Sequence, residues 1–361
     1  MTLGMPSPFS GSYAPDDVTF LLRPVEIHTL RVDEKERRLL EEGAHYAEML
    51  PEEALPDSRW SALVDDALHR HGPVMGTGFR RLATAISGAV DGEIVLVSLA
   101  RAGTPTGVVL RRLLAARGHV VTHYSISLVL QRGIDTVALD FIRQHHRDDT
   151  IIFVDGWTGK GSIGRELETA LASYRTMRGS GPTARLAVLS DLAGVAQLSA
   201  FHEDMLIPHA LLGAVGSGLI SRTLLSDTLV GPGQFHACRY YAEWSGEDRS
   251  RSLVEHLYRH AMDDAEDDTP PIEKPNKSVT AALARWLSRE HPDIPMGVIK
   301  PGLCESLRAL LRRTPELVFI RNEHEPDIVP LLVLAERRGA AWRLAPDLPC
   351  AAATVIRGPR S

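Results

Sequence analysis

The ten residues FVDGWTGKGS, 153–162, run from an apolar stretch through an aspartate into a glycine-rich turn that carries one lysine and opens a helix. DTIIFVDG (149–156) extends that apolar stretch upstream, and GEIVLVSLA (92–100) and ARLAVLSD (184–191) repeat it, each rich in Val, Ile or Leu and bounded by glycine or polar residues. Strands that are apolar on both faces must be covered on both faces, so these are expected to be buried and parallel. Helical periodicity lies between them. In TPTGVVLRRLLAARG, Thr104 stands as an N-cap, Pro105 takes the first helical position, Val109, Leu110, Leu113 and Leu114 share a face, and Gly118 marks the stop. In SIGRELETALASYR, Ile163, Leu167, Ala170 and Leu171 share a face behind Ser162 as the cap. Strand, loop and helix, twice over and followed by a third strand, predict an α/β fold with a doubly wound parallel sheet flanked by helices.

A chain of 361 residues exceeds one average domain. The break falls at MDDAEDDTPPIEKPNKS (262–278), an acidic run passing into a proline-rich stretch, which divides a body at 1–261 from a tail at 279–361. In the tail, VTAALARWLSRE, GLCESLRALLRR and DIVPLLVLAERRG read as helices and ELVFI and ATVIR as strands, a small, separate α/β unit. If the tail binds RNA, like charge between linker and body is expected to keep the two from collapsing together.

A net charge of -6 gives no global attraction to nucleic acid or anionic membrane, so any such contact needs a local basic patch. The cysteines, Cys238, Cys304 and Cys350, form no CxxC pair, which fits a reducing cytoplasm better than a disulfide framework or a zinc ribbon. The N-terminal residues show no basic start followed by an apolar run, so no signal peptide is expected, and no stretch approaches the roughly 20 apolar residues of a membrane span.

Ligands of open parallel sheets bind beyond the C-terminal strand ends. There the amides of Thr158, Gly159, Lys160, Gly161 and Ser162 are free to converge on one hollow, aided by the helix dipole, and a phosphate monoester is the natural occupant. The lysine is misplaced for GxxxxGKS, which disfavours ATP. Asp155, at the strand end beside Gly156, suits vicinal hydroxyls or a magnesium hydration shell. The loop SLARAGTPTG offers Arg101 with the backbone of Ala102, Gly103 and Thr104, which suits pyrophosphate. His202, Asp204 and His209 are near enough in sequence to meet, but nothing in their spacing fixes them as ligands. Cys238 has His236 nearby, yet residues two apart point to opposite faces of a strand, which makes a thiol–imidazole peptidase pair the weaker reading.

Over about residues 8 to 255, the strings FSGSYAPDDVTFLLRP, GAHYAEMLP, VSLARAGTPTGVVLRR, HYSISLVLQRGID, FVDGWTGKGSI and SGLISRT resemble the phosphoribosyltransferase-like family of bacterial tellurium-resistance and stress gene clusters, a family also labelled cysteine protease StiP. The resemblance implies a type I phosphoribosyltransferase sheet and an enzyme using Mg2+ and phosphoribosyl pyrophosphate or a nucleotide-like substrate. Arg101 would neutralise the departing diphosphate, Asp155 would grip ribose hydroxyls and the metal, residues 158–162 would anchor the sugar phosphate, and HYSISLVLQRGID would form a covering loop. Gly156 stands where such enzymes usually carry a second acid, which favours a second reading, a non-catalytic nucleotide and RNA sensor. Tyr13, Tyr46, Glu48 and Arg222 become candidates through the resemblance alone. In the tail, residues 298 to 344 resemble the pelota-type RNA-binding domain; this implies RNA contact through Lys300, Gly302, Glu305 and Arg308, with Cys304 in place of the usual asparagine. Without the resemblance, Arg308, Arg312 and Arg313 read as the wet face of a helix opposite Leu307, Leu310 and Leu311.

Overall fold

The computed structural model describes residues 9–263 and 278–358. Most of the expected linker, 262–278, lies outside the described residues. The body is built on six parallel strands: β1 (Thr19–Phe20), β2 (Ile94–Leu99), β3 (Val121–Ile126), β4 (Ile151–Thr158), β5 (Leu186–Asp191) and β6 (Leu198–Phe201), in the spatial order β1-β3-β2-β4-β5-β6. The three strands expected from apolar runs are β2, β4 and β5, central and buried along their whole length. Strand order reverses between β2 and β4, which opens a crevice beyond their C-terminal ends.

Alternation along the strands divides the core in two. Ile94, Leu96, Ile152, Val154, Ala187 and Leu189 face helices α2 (Ser58–Ala89), α3 (Gly103–Ala116) and α6 (Ser250–Met262). Val95, Val97, Phe153 and Val188 face α4 (Thr136–Arg143) and α5 (Ser162–Arg178). A fully buried Leu, Ile, Val or Phe is worth about 2 kcal/mol of transfer free energy, so two such layers hold the sheet rigid beneath the crevice. A short helix, α1 (Val32–Glu41), borders the crevice from the N-terminal side.

Two local expectations need correction. Thr104 is not the cap of α3, which starts one residue earlier; its hydroxyl instead meets Ser125 Oγ at 2.9 Å. The stretch HYSISLVLQRGID is not a single loop: Tyr124 and Ser125 belong to β3, and residues 128–134 make a tight hairpin whose Leu128 and Leu130 border the crevice. Asp135 then caps α4, accepting from the Val137 and Ala138 amides at 3.0 Å.

The tail contains α7 (Val279–Glu290), β7 (Ile299–Pro301), α8 (Leu303–Arg312), β8 (Pro315–Ile320), α9 (Val329–Arg337), β9 (Ala341–Leu344) and β10 (Ala352–Ile356). Its four strands pair in the order β7-β10-β8-β9, with only β8 and β9 parallel. It is not held apart from the body. Leu303, Leu307 and Leu310 of α8 share one apolar core with Phe79 and Leu206 of the body, a burial that outweighs any charge repulsion carried by the linker. Polar links reinforce the contact: Lys35 Nζ donates to the Arg312 carbonyl at 2.8 Å, Arg313 pairs with Glu36 at 2.6 Å, and His71 meets Asp327 at 2.7 Å.

Candidate functional site

The tail docks over the C-terminal ends of β2 and β4, and a cavity of about 870 Å³ remains between them. From the body it is lined by Glu53, Arg101, Ala102, Asp155, Trp157, His209 and Arg222, and from the tail by Lys300, Glu305, Arg308, Arg312 and Arg313. Arg101, just past β2, donates to the Ile220 carbonyl and to Glu53 Oε2, both at 2.8 Å. Burial alone would raise the Glu53 carboxyl, but Arg101 and Arg312 outweigh it and hold the acid below its usual range. Arg222 is half-buried, its guanidinium held by the Tyr46 and Met49 carbonyls over the Tyr46 ring. Its pKa is lowered by burial to about 10.

At the end of β4, Asp155 is 7% exposed and its carboxyl is pushed up to about 7, by burial first, with Arg308 opposing and Glu305 adding to the rise. One oxygen accepts the Gly156 amide at 2.8 Å. Two residues on, Trp157 donates its indole N–H to Glu305 at 3.0 Å and lies under the Arg308 guanidinium, 5.5 Å from the ring centre. His209 packs beside Trp157, with ring centres 5.6 Å apart. Burial lowers the His209 pKa to about 4; the Ala102 carbonyl lies near, but neither ring nitrogen reaches hydrogen-bond geometry with a partner. His209 also accounts for Gly156, since a Cβ there would stand 2.9 Å from the imidazole Nε2 and 3.2 Å from the Ala102 carbonyl. The place of a second acid is filled by an imidazole.

The remaining sequence candidates are engaged elsewhere. Gly103 packs so closely under β4 that a Cβ would come within 2.2 Å of the Val154 carbonyl. Thr158 donates to Asp191. Gly159, Lys160, Gly161 and Ser162 do open α5 from a strand end, but they are not among the residues lining the cavity. The tail covers them: Lys160 Nζ donates to the carbonyls of Met296 (2.9 Å) and Gly297 (2.8 Å), and Thr280 donates to the Gly159 carbonyl at 2.7 Å. The lysine pKa falls to about 8 through burial, with Lys300 adding to the fall. Among the described residues no group of three or more His, Cys, Asp or Glu side chains is placed to hold a metal. Of the carboxyls on the cavity, Glu53 is paired with Arg101 and Glu305 with Trp157 and Arg308, which leaves Asp155 under the field of Arg308, a set that does not fit magnesium.

The four residues expected to read RNA face the body. Lys300, Glu305 and Arg308 line the cavity, and Gly302, at φ 85°, packs against Leu192 and Asp204. Asp204 caps α8 from across the junction, accepting the amides of Leu303 (2.9 Å) and Ala351 (2.8 Å), and burial raises its carboxyl to about 6. All three cysteines are buried. Cys238 lies in the core with its thiol pushed up to about 12, and the Cys350 thiol, also raised, donates to the Ala352 carbonyl at 3.1 Å. Cys304, second residue of α8, accepts the Ile207 amide at 3.3 Å and lies near the Met205 carbonyl, and burial raises its thiol well above the usual range.

What sequence reasoning misses here is His209, Arg222 and Arg312 as one site. His209 stands in a short turn after β6 with no local motif, SGLISRT alone marks Arg222, and periodicity sets Arg312 on a solvated helix face. The adjacent arginines 312 and 313, on a helix with an already complete apolar stripe, are the available signal.

Fold and site together define a two-part α/β protein with its candidate site at strand ends roofed by a second, smaller unit. Residues 11–258 match the family described as tellurite-like stress resistance cysteine protease StiP, and residues 288–358 match the PELOTA RNA binding domain. The chain is 34% identical over 331 residues to "Cysteine protease StiP" of Acinetobacter baylyi, covering 88% of this chain and 86% of that protein. The chain belongs to the StiP family.

These findings overturn the transferase expectation. Family and relative are named as cysteine proteases, which are hydrolases, and nothing in them supports phosphoribosyl pyrophosphate, a nucleotide-like substrate or pentosyl transfer. The structure supplies physical reasons: the expected sugar-phosphate loop is covered by the tail, Arg101 is already paired with Glu53, and His209 fills the second acid's place. Among the described residues no helix is long and apolar enough to cross a membrane.

Proposed function

We propose that the chain is a hydrolase of the cysteine-peptidase kind for which its Acinetobacter baylyi relative is named, acting in tellurite-type stress resistance, with the cavity as its substrate site. The observation that carries this reading is the similarity along 88% of the chain. The doubly wound sheet alone carries no activity, since that architecture hosts many chemistries.

Among the three thiols, position favours Cys304. It lies in the first turn of α8, where the helix dipole and the Ile207 amide both favour a thiolate. Its neighbour Glu305 lines the cavity, and the Ile207 segment leads within two residues to His209, a neutral imidazole whose burial disfavours the protonated form until the site opens to water. In the reaction His209 removes the thiol proton, the thiolate attacks the substrate carbonyl, the protonated imidazole passes its proton to the leaving amine, and water releases the acyl group from sulfur. The buried, protonated thiol makes the described arrangement a resting form, and turnover requires the first turn of α8 to lift from residues 205–207.

Hydrolysis of a fluorogenic peptide library by the full chain tests this. Cys304→Ala should lower kcat/KM by at least about a thousandfold, whereas Cys238→Ala retains activity. Loss on Cys238→Ala with retention on Cys304→Ala would move the nucleophile, and no hydrolysis by any form would remove the peptidase reading.

The Pelota match supports a second role, RNA attachment through the tail. With Lys300, Gly302, Glu305 and Arg308 turned toward the body, the surface offered to RNA is edge strand β9, all four of whose residues are exposed, with Trp342 for base stacking beside Arg343 for phosphate. Trp342→Ala should weaken binding of a structured RNA at every salt concentration, and Arg343→Ala should also flatten the salt dependence, both read by fluorescence anisotropy.

A further inference from the structure

Arginine serves as the cation of this chain nearly everywhere: five of its 40 Lys and Arg residues are lysines. Lys274 and Lys277 lie outside the described residues, and the other three, Lys35, Lys160 and Lys300, all stand where the tail meets the body. Two of them are tied, Lys35 to the Arg312 carbonyl at 2.8 Å and Lys160 to two carbonyls of the tail. Lys300 is not. It is half-buried and lines the cavity, yet its Nζ joins no hydrogen bond or ion pair found among the described residues. Its backbone is fixed, because β7 holds it opposite Thr354 of β10 and Ser306 Oγ donates to its carbonyl at 3.1 Å. Burial lowers the Lys300 pKa from the usual range, with Glu305 opposing and Arg313 and Arg308 adding to the fall. A guanidinium here would stay charged at any physiological pH, whereas an amine stripped of water and crowded by cations sheds its proton and becomes a nucleophile.

We infer that Lys300 is a covalent capture site for small aldehydes, which enter the cavity and condense with its Nζ to an imine. The neutral amine adds its lone pair to the carbonyl carbon, and a proton passes from nitrogen to oxygen to give a carbinolamine. The hydroxyl then takes a second proton and leaves as water while the nitrogen lone pair forms the C=N bond of an iminium cation. Asp155 supplies that second proton: it lines the same cavity, feels the same Glu305 and Arg308 as Lys300, and keeps its carboxyl proton up to about pH 7. The carboxylate it becomes balances the iminium charge, and no oxidant or reductant is consumed. An aldehyde, with one substituent on its carbonyl carbon, reaches a half-buried amine more easily than a ketone does. Trp60, Leu211, Leu212 and Leu334 give the cavity an apolar wall for its carbon chain.

The test is reductive trapping of the full chain with butyraldehyde and cyanoborohydride at neutral pH, followed by peptide mapping. The reagent reduces an iminium to a stable secondary amine and leaves a thiohemiacetal on cysteine untrapped. Lys300 should be modified at least about tenfold faster than Lys274 or Lys277, since each tenfold loss of proton affinity gives a tenfold larger neutral fraction. Lys300→Arg should abolish the rapid reaction while melting at the wild-type Tm, and Asp155→Asn should slow it severalfold. The wild-type labelling pattern decides the matter whatever the stability of the variants. Modification of Lys300 no faster than of Lys274 and Lys277, or a rapid adduct on Lys35 in its place, would overturn the inference. Neither result bears on the peptidase assays, because trapping requires no thiol.

Discussion

Replacing Asp155 with asparagine removes a charge that the fold resists. The carboxyl ionises near 3.8 ordinarily and near 7 in the folded protein, chiefly because it is buried at the strand end. Each tenfold change in proton affinity is worth about 1.4 kcal/mol, so the whole displacement corresponds to about 4 kcal/mol. Its sign is opposite to that of an ion-paired acid. Between pH 3.8 and about 7 the folded chain holds a proton that the unfolded chain has lost, so stability falls as pH rises, and above about 7 the penalty is complete. The amide of the variant would keep an acceptor for the Gly156 N–H while carrying no ionisable group. From pH 5 to pH 8, Asp155→Asn should therefore gain about 3 kcal/mol relative to wild type, or roughly 5 °C in Tm for a chain of this size. Melts at pH 5, 6, 7 and 8 read this directly. A difference that is independent of pH, or a variant less stable than wild type at pH 8, would refute a buried, proton-holding carboxyl at the mouth of the cavity.

Two further substitutions probe the same region. Lys160→Met deletes a cation that donates to two carbonyls of the tail, and it should cost about 2 kcal/mol in chemical denaturation and increase proteolysis near the junction. Gly156→Asp, which installs the second acid of the abandoned transferase pattern, drives a Cβ to within 2.9 Å of the buried His209 ring and should destabilise by about 2 kcal/mol or more while blocking hydrolysis. A stable, active Gly156→Asp protein would show that the imidazole does not occupy that space.

The central strands were legible because a strand covered on both faces must be apolar at every position, and β2, β4 and β5 are buried throughout. The 32-residue α2 was hidden by residues that look like breakers. Gly72 and Gly76 are there because α6 comes close, so that a Cβ at either would meet His260 within 2.5 Å, and Gly78 likewise makes room for Phe201. Pro73 adds to the disguise within the same helix. Half of the site was visible for a similar reason: Arg101 follows one buried strand and Asp155 lies in the C-terminal half of another, where topology puts ligands. The other half arrives through tertiary packing. Local periodicity made Arg308 and Arg312 a wet face, whereas docking of α8 turns them toward the cavity, and the glycine loop that looked open lies beneath that same tail. Docking between two parts is set by complementary surfaces that share no sequence period, so neither outcome had a local signature.

Peptide mapping after turnover in the presence of a peptide-linked vinyl sulfone, which alkylates only an activated thiolate within a substrate site, tests the central claim most directly. A single adduct on Cys304, lost in His209→Ala and suppressed by competing peptide substrate, is the predicted result. Hydrolysis that continues with no adduct, or an adduct confined to Cys238 or Cys350, would contradict it.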